Sequence, residues 1–215
     1  MEPDITISTI FNSALKKAKT QIWILTGLLV GFMIIDFTIG IFAMPMQESF
    51  ISQTIVILIG IVINFIFILG YVKNLFQTID GIEPQFSAYG QQSRKIVTAI
   101  VASLIFYLIV ISGSFLFIIP GIYLSLRLEF FIFFIVEEDA GIIESLRRSW
   151  KITKGHILQL FFLRLIMIAI ATIGLMIFIV GIFFAMPIIF IMYCEVFRKL
   201  NTPLQILEED RITHE

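Results

Sequence analysis

PGIYLSLRLEFFIFFIVEEDAGIIESLRRSWKITKG, residues 120–155, decides how the rest of the chain is read. It opens on a Pro-Gly turn signal and continues as an apolar run whose only charges are Arg127 and Glu129. The run stops at Glu137-Glu138-Asp139. An apolar stretch of this kind suits hydrocarbon, where backbone groups must be paired internally. Beyond the acids, Ile142, Leu146 and Trp150 share a helical face, with Ile143 beside it. Glu144, Arg147, Arg148 and Lys151 cover the remainder. That pattern predicts a short interfacial helix over 141–154, with a basic side. Asp139 is its expected cap and Gly155 its stop.

Upstream, residues 96–136 are apolar almost throughout and have no polar loop. The length fits two tightly joined helices of ~20 residues each. Their turn lies either at Pro120-Gly121, the stronger punctuation, or near Ser112-Gly113-Ser114. The second choice balances the lengths and leaves Pro120 in the first turns of a helix, where it is tolerated. Tyr107, Ser112, Ser114 and Tyr123 read as helix-packing hydroxyls.

Further upstream, a second span is expected over Thr54 to Val72, with Asn64 near its middle. Lys73 then opens a polar stretch broken by Gly81, Pro84 and Gly90 into a turn and a short interfacial piece. The loop Met44 to Gln53 carries no Lys or Arg. The first span covers Ile22 to Met44 and holds Asp36. Trp23 is its interfacial anchor, and Gly27 and Gly31 form a small-xxx-small face for close helix approach. Residues 5–19 read as a separate amphipathic helix lying in the interface. Acids at Glu2 and Asp4, with lysines directly against the apolar run, do not fit a signal peptide, so the N-terminus is expected to be kept.

Downstream, His156 to Phe197 is another unbroken apolar run, followed from Arg198 by a polar tail expected to be mobile. This divides the chain into one six-helix domain, 1–200, and a tail, 201–215. Gly81-Ile82 and Gly141-Ile142 are sixty residues apart, as are Gly121-Ile122 and Gly181-Ile182. The offset reads as an internal repeat of interfacial helix plus hairpin.

Composition agrees. The chain is 59% hydrophobic and 14% charged, with mean hydropathy +1.01. A soluble surface needs roughly 25% charged residues. The net charge of -1, with no basic aromatic patch, gives no sign of a nucleic-acid partner. One cysteine excludes an internal disulfide, and two histidines exclude a multi-histidine metal centre within one chain.

The expected fold is therefore all-α and integral to the membrane, with six transmembrane helices and interfacial helices on the cytoplasmic side. Lys and Arg cluster before the first span, at 73–95, at 147–154 and in the tail, while the expected outer loops have none. The positive-inside rule then puts both termini in the cytoplasm.

The PG-I turn, the Arg in the following helix, the acidic break and the run ESLRRSWKITKG together resemble a bacterial six-helix membrane family. It is related to the membrane domain fused to some glycerophosphodiester phosphodiesterases. The matching positions are Pro120, Gly121, Arg127, Glu138, Gly141, Glu144, Ser145, Leu146, Arg148, Ser149, Trp150 and Gly155. Phe133-Phe134 depart from the proline or small residue expected there. No phosphodiesterase domain is present, so the resemblance implies architecture and a bacterial inner membrane rather than an activity.

Ionisable groups inside a bilayer are functional candidates by default. Arg127 lies ~13 Å from the Val136 end of its helix, and Arg164 ~12 Å from His156. Arg164 can snorkel towards the cytoplasm, whereas Arg127 leans away from that interface and needs an internal partner. Glu129 is ~200° around the helix from Arg127, which favours its pairing with Arg164. Arg127 is then left to a polar group, a carbonyl or a ligand anion. Asp36 and Asn64 are placed to hydrogen-bond across the first two helices. Arg147, Arg148, Trp150, Lys151 and Lys154 form the expected headgroup contact.

No phosphate loop, nucleophile elbow or helical metal motif is present, so no catalytic residue, cofactor or metal is expected. The leading expectation is a non-enzymatic inner-membrane protein that binds lipids, partner membrane proteins or further copies of itself. An ion-coupled or small-solute transporter is the alternative, although no span shows a sequence break at its centre as many carriers do. A lipid-acting membrane enzyme is the third.

Overall fold

The computed structural model describes residues 7–43, 50–176 and 180–213. Among them the chain forms helices and short connections only. In order these are α1 (Ile7–Ala43), α2 (Phe50–Ile79), α3 (Ser87–Gln92), α4 (Ile96–Leu116), α5 (Ile118–Leu128), α6 (Phe131–Glu138), α7 (Ile142–Ile152), α8 (Ile157–Met176) and α9 (Val180–Thr213), with a 3-10 turn at Ser93–Lys95 between α3 and α4. Six stretches are long and apolar enough to cross a membrane. Most of the expected loop at Met44 to Gln53, and residues 177–179 in the last hairpin, lie outside the described residues.

The third and fourth spans separate at Phe117, whose backbone is extended (φ -162, ψ 155). This falls between the two placements open in the sequence. Pro120 sits in the first turn of α5, where its missing N–H costs no helical bond. A Cβ on Gly121 would overlap Ser114, so this position needs glycine for the close crossing of α4 and α5. Sixty residues on, a Cβ on Gly174 would press on the Gly181 carbonyl, 3.1 Å away. Ser114/Gly121 and Gly174/Gly181 are thus equivalent contacts, and they give the sequence repeat a structural counterpart.

Four expectations change. First, the N-terminal helix is not separate: α1 runs unbroken from Ile7 to Ala43. Nothing between Lys19 and Ile22 breaks a helix. Ile10, Ala14 and Ala18 are buried in the core, and α1 packs on α9. Buried Glu195 of α9 holds this segment through Ser13 Oγ (2.6 Å) and Lys17 Nζ (2.9 Å). Second, α2 continues past Val72 to Ile79 and carries the buried Asn74 with it. Third, α9 continues through Arg198 to Thr213. Arg198 bonds Asp80 and Glu137, and Asn201 and Gln205 both bond Glu138, so the first residues past Arg198 are joined to the bundle. Fourth, Gly27 and Gly31 do not serve close helix approach, because a Cβ on either would meet nothing within 4 Å.

A cluster of phenylalanines fills the core at the charged end of the bundle. The Phe197 ring lies edge-on to Phe76, Phe133 and Phe134, with centroids 4.9–5.7 Å apart, and Phe130 completes the cluster. Phe133 and Phe134, the departures from the family pattern, are therefore core residues. Such ring pairs add about 0.5–1.5 kcal/mol each beyond the area they bury.

Candidate functional site

The fourth span is two helices. It breaks at Glu129-Phe130, between α5 and α6. A break inside a span exposes backbone groups that hydrocarbon cannot satisfy, and here α7 supplies the partners. After the turn at 139–141, α7 returns to the break. Ser149 Oγ accepts from the Phe130 amide and donates to the Arg127 carbonyl, both at 3.1 Å. Thr153 Oγ1 lies 3.1 Å from the same carbonyl. Ser145, Ser149 and Thr153 are all fully buried.

On α7 the apolar face read from sequence is only partly the buried one. Its inward face carries Ser145, Leu146, Ser149 and Ile152, whereas Ile143 and Trp150 are exposed. The hydroxyls face inward because the broken span requires hydrogen-bond partners there. A signal existed in the sequence: Ser149 and Thr153 are four apart and so share a helical face. Reading the face from apolar residues alone missed it.

Arg127 is buried, and its guanidinium carbon lies 4.2 Å from the Trp150 ring centre and 5.9 Å from that of Tyr123. Two aromatic rings therefore face the Arg127 side chain. A desolvated cation–π contact is worth about 2 kcal/mol or more. Trp150 is accordingly the partner of Arg127 as well as a candidate anchor. Arg127 Nε is buried with no hydrogen-bond partner, as is Glu129 Oε1.

Glu129 turns the other way. Its second carboxylate oxygen meets Arg164 at 2.5 Å, and Arg164 also reaches Ser125 Oγ (3.2 Å) and Tyr193 Oη (3.4 Å). The intramembrane charges thus fall into two separate groups on opposite faces of the fourth span, as the ~200° rotation between Arg127 and Glu129 requires. Asp36 and Asn64 form a third, 3.3 Å apart across α1 and α2, and Asn64 also donates to the Gly60 carbonyl.

Glu137, Glu138 and Asp139 do more than end a hydrophobic run. Glu137 binds Lys73 of α2 (3.4 Å) and Arg198 of α9 (3.2 Å). Glu138 binds Arg148 of α7 and Asn201 and Gln205 of α9. Asp139 binds Lys95 at 2.6 Å and Arg94 at 3.7 Å. Asp139 is not the cap of α7; that position belongs to Gly141. Instead Asp139 ends α6 in the left-handed region (φ 54). Lys95 Nζ also donates to the Val136 carbonyl (2.9 Å), one of the orphan acceptors of the last turn. Hydrogen bonding from Lys95 holds the Asp139 carboxyl below its usual range, and Arg198 does the same for Asp80.

One further repair was invisible in sequence. Pro187 sits inside α9 and has no N–H to give the Phe183 carbonyl four residues earlier. Thr26 Oγ1 of α1 donates to that carbonyl at 3.2 Å.

Of the expected headgroup contacts, Arg148 is committed to Glu138 and Glu144. Arg147, Lys151 and Lys154 remain exposed. Asp80, Glu129, Glu137, Glu138, Asp139, Glu144 and Glu195 are each in an ion pair, whereas among the described residues Lys16, Lys19, Arg147 and Lys154 are in none. All four of these cations are exposed.

An all-helical bundle with six stretches able to cross a bilayer is the class of a multi-pass membrane protein. A family model described as a domain of unknown function (DUF7847) matches residues 49–209, and the chain belongs to that family. No curated protein and no solved structure matches it. The match carries no link to the glycerophosphodiester phosphodiesterases.

Proposed function

We propose that this is a non-enzymatic protein of a bacterial inner membrane, with both termini in the cytoplasm, that binds membrane lipids or partner membrane proteins through its charged end. The observation that carries the reading is the imbalance at that end: Glu137, Glu138 and Asp139 are spent on internal pairs, while Arg147 of α7 and Lys154 just beyond it are exposed and in no ion pair among the described residues. Each such cation contributes about 1 kcal/mol near an anionic surface. Positive-inside placement of the same end supports the orientation. The test is native mass spectrometry of protein released from nanodiscs of mixed phosphatidylglycerol and phosphatidylcholine. A triple variant, Arg147→Gln, Lys151→Gln and Lys154→Gln, retains fewer phosphatidylglycerol molecules than the parent. Equal retention by a stably folded variant sinks the lipid reading and turns attention to partner proteins.

One observation favours the transporter as a second reading: the fourth span is broken, with buried unpartnered atoms of Arg127 and Glu129 beside the break. Discontinuous helices of this kind hold the sites of many carriers. Ion flux into proteoliposomes that disappears in Glu129→Gln would support it, and absence of flux across a panel of monovalent cations and protons would count against it.

A further inference from the structure

Gly27 and Gly31, left without a packing role, open onto a cavity of about 510 Å³ between α1 and α2. Trp23, Gly27, Gly31 and Ile35 line it from α1, Phe67 from α2, and Tyr89 of α3 borders it at the charged end. The α1 lining from Trp23 to Ile35 spans twelve residues, or ~18 Å of helix. One leaflet of a bilayer has about 15 Å of hydrocarbon. The groove is thus the length of a single acyl chain standing in the leaflet at the charged end.

Charge lies at its mouth. Lys19 is four residues before Trp23 and Lys16 seven before, so both fall on the helical face that continues through Gly27 and Gly31. Both are exposed, and neither is in an ion pair among the described residues. Lys17, off this face, is the lysine that pairs with Glu195. An apolar slot one leaflet long beneath two free ammonium groups is complementary to an anionic amphiphile of that leaflet.

We propose that the groove between α1 and α2 binds one acyl chain of an anionic phospholipid, with Lys16 and Lys19 holding its headgroup. This rests on the lipid-binding reading but places a defined site away from α7. A chain seated there gains about 0.8 kcal/mol for each methylene it buries, which separates a retained lipid from an exchanging one.

The experiment uses the full chain, delipidated in detergent and reloaded with phosphatidylglycerol or phosphatidylcholine, with bound mass read by native mass spectrometry. One phosphatidylglycerol is retained at activation energies that strip the rest. Gly27→Leu with Gly31→Leu fills the groove and abolishes that retention; because an added Cβ meets nothing at either glycine, the helix accepts the change. Lys16→Gln with Lys19→Gln removes the preference over phosphatidylcholine by tenfold or more. The α7 triple variant keeps the tightly held lipid, which separates failure of this site from failure of the surface. As a second readout, phosphatidylglycerol brominated on its chains quenches Trp23 in the parent and not in the glycine-filled variant. Equal retention or quenching in that variant, or equal retention of the two lipids by the parent, overturns the proposal. So does retention of a free fatty acid in place of a phospholipid.

Discussion

The Arg127 guanidinium lies 4.2 Å from the Trp150 ring centre, and one hydrogen bond away the Arg127 carbonyl is held by Ser149. One residue of the fourth span is thus gripped twice by α7, through its side chain and its backbone. Neither grip resembles the amphipathic contact that the α7 sequence advertises. The charged motif around Arg147 and Arg148 encloses a repair of broken helix.

The backbone grip is testable by stability. Ser149→Ala leaves the buried Phe130 amide and Arg127 carbonyl short of partners and costs about 1–3 kcal/mol. Ser145→Ala is the control. That hydroxyl is equally buried but bonds only the Ile142 carbonyl of its own helix, so its loss is expected to cost well under half as much. Thermal melts in nanodiscs compare the two, and equal losses would mean that Ser149 is not bridging the break.

The side-chain grip predicts coupling. Trp150→Leu and Arg127→Gln each destabilise, but together they lose less than the sum, by about 1–2 kcal/mol. The double-mutant cycle, measured from unfolding midpoints, would come out additive if the ring and the guanidinium did not interact.

Thr26 and Pro187 make a second such pair. Thr26→Val strands the Phe183 carbonyl and is expected to cost about 1 kcal/mol or more. In a Pro187→Ala background the helix recovers its own amide donor, and the same substitution becomes close to neutral. A cost that persists in that background would place the role of Thr26 elsewhere.

Acid sensitivity follows from Asp80 and Asp139. Both carboxyls are held below their ordinary 3.8, by Arg198 and Lys95 respectively. A depressed carboxyl contributes its stability above the unfolded value and loses it as pH falls through the folded one. The melting temperature is therefore expected to fall below about pH 4. Asp80→Asn with Asp139→Asn lowers it at neutral pH and flattens the acid limb; asparagine keeps the left-handed backbone at 139 tolerable. Both pairs are part-exposed, so the effect is modest and shrinks with salt. Parallel pH profiles for parent and variant would rule out these two acids as the source.

The all-α bundle of six apolar stretches was legible because hydrocarbon selects on length and composition, both local properties. The same locality made Glu129 and Arg164 readable as partners, since helix rotation separates Glu129 from Arg127. It also placed Asp36 near Asn64 at matching depth. Glu129 does bond Arg164 and Asn64 does bond Asp36, while Arg148 is bonded to Glu138.

What residue order could not show is where a helix fails and what repairs it. The fourth span breaks at Glu129-Phe130 without proline or glycine, and the bonds that make the break tolerable come from Ser149 and Thr153, nineteen to twenty-six residues on. Thr26 mends α9 from 157 residues away. Asn201 and Gln205, just after Arg198, are bonded to Glu138 of another helix, and the Gly27-Gly31 face stands open although its spacing signals contact. Each depends on which backbone groups and faces packing leaves unmatched, a quantity that exists only once the helices are assembled. The sequence by itself determined that the chain has six stretches apolar enough to cross a membrane and where its charges concentrate; tertiary structure alone decided which charges are paired inside and which stay exposed, because pairing requires proximity in space.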